Sequence, residues 1–531
     1  MNNKFVIPRK LFPILLIKII FFPLLLVTPS VKAATEEFCP EALPQKLDRL
    51  ITASEKESRW GILIQPLLSE RILYQRNAEK LFIPASNVKL FTSAIALNQL
   101  HPEFRIITPV YTEGDSPHLQ KLQIIGQGDP SLRTSDLEKL AATLSKNNVS
   151  SIETLVLQSG YFSQPRINST WEWEDVYAAY GTGVNDFILD ENAVTLTLRP
   201  QSIGKAVIAD WNNNIAAAQW NLNNQATTAP VNTDYRIQLQ GKLGTSQLNL
   251  TGKLPQNIKT DVWQLAIPQP DRYFRDTLLN ALAERGITVN QVQFSDSEIR
   301  IPPNPSIIGG NNHVSFISPP LKELIVEINQ NSNNLYAEAL LKTLIARSGE
   351  EIITEELTRF GIPPNHYQLV DGSGLSRRNL VTPSAIVQLL KTMSNGENAA
   401  TFRSSLAVAG INGTLKNRLQ STILQGNLQA KTGTLTGISA RSGYVNPPNY
   451  QPLVFSILLN HSQVSPSQQR DMIDRILLLL SRLKTCQDRS RLGGGNETQQ
   501  QYSLFVIRYL FTGHWSLVTG RRSMERLYIG Y

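Results

Sequence analysis

The sequence predicts a mixed α/β protein of more than one domain, and three observations lead there. The chain has 531 residues, too many for one compact domain and enough for two or three. Hydrophobic residues make up 41% and charged residues 18%, a globular balance that disfavours wholesale disorder or a polytopic membrane protein. Alternating strand-like stretches fill the middle of the chain, and helical periodicity dominates after them. Two cysteines are too few for a disulfide-dense scaffold or a four-thiolate zinc site.

Residues 1–33 read as an export signal. Lys4, Arg9 and Lys10 form a basic start, Leu11 to Val27 is apolar, and Ser30-Val31-Lys32-Ala33 offers small residues for cleavage after Ala33. A retained anchor is the weaker reading, because Pro13, Lys18 and Pro23 interrupt an apolar run already at the short end of the roughly 17–25 residues a span needs. The expected location is the periplasm or cell envelope. Residues 34–100 form a first block, with strands near Trp60 to Ile64 and Ile72 to Gln75 and a helix from Ser86. Residues 101–311 form a mostly-β block, with alternation at Val194 to Leu198 and Tyr235 to Leu239 and one helix at Asp271 to Arg285. Residues 312–486 are helix-rich, with helices at Leu321 to Ile328, Leu335 to Ala346 and Gln468 to Leu483. Residues 487–531 read as a glycine- and glutamine-rich linker and a tail, Tyr502 to Val518 being apolar-aromatic and Arg521, Arg522 and Arg526 basic. The tail allows a weak membrane-surface contact and has no assigned role.

Export places Cys39 and Cys486 where disulfides form. Either they pair and staple the two ends of one domain, or they are two separate buried thiols; the sequence leaves both open. The net charge of +8 invites nucleic acid as a partner, but it is not spread over the chain. Residues 1–33 hold Lys4, Arg9, Lys10, Lys18 and Lys32 with no acid, and 487–531 hold six arginines against three acids. The chain between them is neutral, so nucleic acid drops out.

Three segments carry chemistry. Ser86 and Lys89 sit three residues apart at a helix start, on one helical face, where a desolvated amine can take the serine proton. Ser332-Asn333-Asn334 lies between two helical patterns. Lys431-Thr432-Gly433-Thr434 lies on a strand whose return runs near Ile438 to Val445, and its glycine permits close backbone approach. Each alone has a plainer reading: an N-cap serine with a surface lysine, a polar helix–helix turn, a solvated strand end.

Together, and in this order, Ser-x-x-Lys, Ser-x-Asn and Lys-Thr-Gly resemble the signature set of penicillin-recognising serine acyl-enzymes. Ser86 and Ser332 are far enough apart to hold the whole mostly-β block as an insertion. That layout is similar to the type-4 penicillin-binding proteins, exported D-alanyl-D-alanine carboxypeptidases/endopeptidases. Gly126 to Leu132, Trp171 to Asp175, Asp371 to Arg377 and Gly410 to Leu415 also resemble that family, over roughly Cys39 to Leu483. Asn333 and Asn412 stand where the family commonly has Asp.

The resemblance implies a β-lactamase/transpeptidase-like catalytic domain, an antiparallel sheet flanked by helices, built from two chain segments around a large mostly-β inserted domain. It implies Ser86 as nucleophile on the D-Ala-D-Ala bond of peptidoglycan stem peptides, Lys89 as base, and Ser332 bridging Lys89 and the departing amine. Asn334 would bind the substrate amide, Lys431 the terminal carboxylate, and Thr432 and Thr434 would flank it beside Gly433. The N–H groups of Ser86 and Thr434 would form the oxyanion hole. Asp175 and Arg377 would meet the zwitterionic end of a diaminopimelate side chain. β-Lactam antibiotics would be covalent inhibitors. No metal and no organic cofactor is implied. The rival readings are a serine β-lactamase or esterase and a non-catalytic wall-binding protein. A class A β-lactamase is disfavoured because its deacylating Glu-x-x-Leu-Asn is missing.

Overall fold

The computed structural model describes residues 36–54, 58–162, 165–296 and 314–486. The expected signal at 1–33 and tail at 487–531 lie outside the described residues. A six-stranded antiparallel sheet organises the part of the molecule outside the mostly-β block, in the order Ala407–Val408, Leu428–Leu435, Ile438–Val445, Leu453–Asn460, Arg59–Pro66 and Tyr74–Arg76. Strands from both sides of the mostly-β block thus share one sheet, as the two-segment fold class requires. The central strands are buried on both faces; Leu453–Asn460 reads as a near-continuous apolar run, while Ile438–Val445 also buries Ser439, Arg441 and Ser442.

Side chains alternate between two cores, as a strand's period of two dictates. Leu63, Ala440, Tyr444, Val454 and Leu458 face helices Val88–Leu100, Leu321–Asn329, Asn334–Ser348 and Pro383–Asn395. Ile62, Ile64, Val445, Phe455 and Ile457 face helices Leu43–Ser54 and Pro466–Leu480. On that second face buried Arg441 is neutralised by Asp474, which also holds Arg418. A buried guanidinium needs such a partner, since breaking a buried pair costs about 3–5 kcal/mol. Cys39 and Cys486 are joined by a disulfide there, with Cα atoms 5.7 Å apart.

The inserted domain has a five-stranded mixed sheet, ordered Thr288–Asp296, Ser151–Ser159, His118–Ile125, Ile107–Glu113 and Val314–Ile317. Helices Thr134–Lys146 and Pro270–Glu284 share its core, and smaller sheets centre on Ala193–Arg199 and Gln247–Thr251. The expected boundary at 311 moves. Val314–Ile317 pairs antiparallel with Ile107–Glu113, so the outgoing strand still belongs to the insertion's sheet and the chain leaves after Ile317. The neck is held by Ser318 N donating to Ile106 O at 2.9 Å, and Ile106 N to Ser318 Oγ at 2.8 Å.

Candidate active site

Ser86 lies in a one-turn 3-10 segment, Ala85–Asn87, that feeds helix Val88–Leu100. That helix is apolar almost all round because it is packed on every side, and Lys89 is wholly buried in it. Buried Asn87 anchors the turn to the sheet through Nδ2 to Ser442 Oγ at 3.1 Å. Ala85 has φ +48°, a left-handed value that turns the chain sharply into the helix. Two glycine-bearing strands of chain press on this turn. A Cβ on Gly433 would meet Pro84 O at 2.9 Å and Ser86 N at 3.0 Å. One on Gly374, at φ +81°, would meet Ala85 O at 1.9 Å.

Lys89 Nζ donates to Ser86 Oγ at 3.1 Å, Asn334 Oδ1 at 2.6 Å and Ser373 O at 2.5 Å. Burial lowers its pKa to about 7, against the opposing fields of Asp371 and Glu338. Glu338 sits one helical turn after Asn334 and accepts from Gly372 N at 2.9 Å and Ser373 N at 2.7 Å. Burial, then the neighbouring Asp371, pushes its own pKa up to about 7. Asp371 accepts from Gly374 N and Ser376 N, both at 2.7 Å, and from Trp171 Nε1 of the insertion at 3.0 Å.

Ser332, at φ +62°, precedes helix Asn334–Ser348, and Asn333 caps that helix by accepting from Tyr336 N. Ser332 Oγ accepts from Lys431 Nζ at 2.8 Å, and Lys89 bonds other partners. Lys431 also donates to Thr432 O at 2.7 Å, and burial together with the nearby Lys89 charge holds its pKa well below the usual lysine range. Asn334 is committed at both ends, Oδ1 to Lys89 and Nδ2 to Tyr180 O at 2.8 Å. It was expected to face a substrate amide; its carbonyl keeps one further lone pair for that. Thr432 Oγ1 donates to Thr414 Oγ1 at 2.8 Å, and Thr434 is exposed beside them.

Asp175 and Arg377 lie at the rim without pairing directly. Arg377 Nε bonds Glu172 at 2.9 Å and its two terminal nitrogens bond Thr436 O at 3.1 and 3.2 Å. Asp175 accepts from Tyr180 OH at 3.0 Å, and burial raises its carboxyl pKa. Sequence reasoning missed Glu338, Tyr180, Glu172 and Thr414. Glu338 had a usable signal, standing four residues after Asn334 and so on the same helical face. Among the described residues no cluster of three or more His, Cys, Asp or Glu side chains is arranged to hold a metal ion.

The chain is 29% identical over 449 residues to the D-alanyl-D-alanine carboxypeptidase of Actinomadura sp. (strain R39), covering 78% of this chain and 80% of that protein. It is 27% identical over 455 residues to the penicillin-sensitive carboxypeptidase A of Dictyostelium discoideum, covering 77% and 84%. Its fold resembles the crystal structure of penicillin binding protein 4 from Haemophilus influenzae, with a TM-score of 0.69 and 23% identity over 82% of this chain and 98% of that one. The sequence profile of one peptidase family matches residues 43–482, the span that contains every site residue described above. The chain therefore belongs to the D-Ala-D-Ala carboxypeptidase 3 (S13) family.

Proposed function

We propose that this chain is an exported serine peptidase that hydrolyses the D-Ala-D-Ala bond of peptidoglycan stem peptides through an acyl-enzyme on Ser86. The observation that carries the reading is Lys89, a buried amine 3.1 Å from Ser86 Oγ with its pKa lowered to about 7. Near neutral pH much of that amine is uncharged and can accept a proton.

Ser86 Oγ attacks the carbonyl carbon between the two D-alanines while its proton passes to Lys89. The new C–O bond leaves an oxyanion, which the backbone N–H groups of Ser86 and Thr434 stabilise. The close contact of Gly433 with the Ser86 turn supports that pairing of donors. The C–N bond then breaks. The proton moves from Lys89 to the departing amine, and D-alanine leaves; for Ser332 Oγ to relay it, this hydroxyl exchanges its bond from Lys431 for one from Lys89 once substrate is bound. Water, losing its proton to the same lysine, attacks the ester and frees Ser86. Lys431 attracts the terminal carboxylate, whose charge restores a lysine pKa that burial has depressed, and the Thr432 and Thr434 hydroxyls flank it. Asn334 accepts from the substrate amide. Asp175 and Arg377 meet the zwitterionic end of a diaminopimelate side chain. With a cross-linked peptide as donor, the same steps give D,D-endopeptidase action. β-Lactams acylate Ser86 and leave slowly.

The test is release of D-alanine from a pentapeptide by the wild type and by Ser86→Ala. Losing the nucleophile should lower the rate by at least about 10³-fold and abolish covalent labelling by penicillin. Equal rates would leave only a binding role, and rapid catalytic turnover of penicillin would make the enzyme a β-lactamase. Mass spectrometry of digested peptidoglycan fragments identifies the bond cut.

A further inference from the structure

Asp190, Glu191 and Asn192 are three consecutive non-glycine residues in the left-handed region, at φ 49°, 59° and 49°. Side chains of L-residues rarely adopt even one such conformation, so a run of three persists only where its surroundings enforce it. They do so here. Asp190 accepts from Thr134 N at 3.0 Å, Thr134 Oγ1 at 2.5 Å and Tyr273 OH at 2.7 Å. Wholly buried Asn192 accepts from Leu189 N at 3.2 Å and donates to Gly183 O at 3.0 Å and Asn185 Oδ1 at 2.9 Å.

Glu191, between them, bonds outside the turn. One carboxylate oxygen accepts from Arg133 at 2.7 Å, and the other from Asn333 Nδ2 at 2.8 Å. Asn333 is the middle residue of the catalytic loop, between left-handed Ser332 and the Asn334 that holds Lys89. Its amide is used at both ends, the oxygen capping helix Asn334–Ser348 and the nitrogen reaching Glu191.

We infer that Glu191 is a positioning residue: the strained turn of the insertion delivers its carboxylate to Asn333 and thereby sets the geometry of Ser332 and Asn334 for Ser86 acylation. This rests on the Ser86 acyl-enzyme reading. It also accounts for Asn, rather than Asp, at position 333. Aspartate would cap the helix equally well, but would set a second carboxylate oxygen against Glu191.

The experiment is an exchange of donor and acceptor. In Asn333→Asp two acceptors face each other, and in Glu191→Gln the single amide oxygen serves only one of the donors Arg133 and Asn333 while the amide nitrogen is set against the other. In the double variant the amide introduced at position 191 donates to the carboxylate introduced at position 333, while its oxygen still accepts from Arg133. The readout is the second-order rate of Ser86 acylation by a labelled penicillin, per folded enzyme, with thermal melting recorded alongside. Each single variant should acylate about tenfold more slowly, and the double should recover to within about threefold of wild type. Single variants that melt earlier but acylate at the wild-type rate would reduce the contact to a tether and overturn the inference. So would a double variant no faster than the slower single, when wild type acylates normally. A wild type that penicillin does not acylate overturns the Ser86 reading, and this inference with it.

Discussion

Lys89 feels two opposing influences. Burial strips water from its ammonium group and lowers its pKa, while the carboxylates of Asp371 and Glu338 hold the proton on, and about 7 is the balance. Below that value the amine is protonated and cannot take the Ser86 proton. The rate of penicillin acylation should therefore fall as pH drops through about 7, where Lys89 and Glu338 titrate together. Glu338→Gln keeps an oxygen for Gly372 N and Ser373 N but removes a negative charge that favours the charged lysine. Its acid limb should shift to lower pH; a limb that stays in place or rises would show that another group titrates. The Ser86–Lys89 spacing was legible in the sequence because it is a local helical relation. Lys89's protonation state was not, because it depends on two carboxylates brought in by other segments.

At the scale of elements, the site is a turn clasped between a strand and a loop. Strand Leu428–Leu435 runs so close to Pro84-Ala85-Ser86 that a methyl group on Gly433 would meet backbone atoms, which cannot rotate aside. Gly433→Ala should slow acylation by at least about tenfold by moving the strand off the nucleophile turn, while costing only about 1–3 kcal/mol of stability. Unchanged acylation kinetics would show that the close approach is incidental. Strong periodicity made most elements readable: the return strand is Ile438–Val445 as expected, and the expected helix at Leu335 to Ala346 is Asn334–Ser348. Helix Leu43–Ser54 was not anticipated. Its buried stripe is only Leu43, Leu47 and Ile51, a single row one residue wide that stands out little in the sequence. Tyr235 to Leu239 alternates like a strand, yet pairing begins only at Gln238, because a ladder needs a neighbour as well as a pattern.

In the molecule as a whole, the insertion is fastened to the catalytic domain around the site. Asn334 to Tyr180, Asn333 to Glu191, Asp371 to Trp171 and Arg377 to Glu172 all cross between the two. The disulfide lies on the opposite side of the sheet, where it closes a loop of 447 residues between the chain ends. Replacing both Cys39 and Cys486 by serine should lower unfolding free energy by about 2–4 kcal/mol, chiefly by freeing the unfolded chain. Acylation at moderate temperature should be unchanged, since helices Leu43–Ser54 and Pro466–Leu480 keep their packing. Denaturant titration checks the first expectation and labelled penicillin the second; equal stability would make the bond dispensable.

The sequence by itself carried the motifs on which the proposed reacting groups rest, in their order: Ser86 with Lys89, then Ser332 and Asn334, then Lys431 to Thr434. It also located the insertion and the neutrality of the chain between its basic ends. These features are short-range, written in spacing, periodicity and composition. Only the tertiary structure decided that Ser332 bonds Lys431 rather than Lys89 and that Asn334 is shared between Lys89 and Tyr180. It also decided that Arg377 answers to Glu172, that Cys39 meets Cys486, and that the insertion runs on to Ile317. Each of these joins segments far apart in the chain, and burial, which sets the lysine pKa values, exists only once those segments have packed.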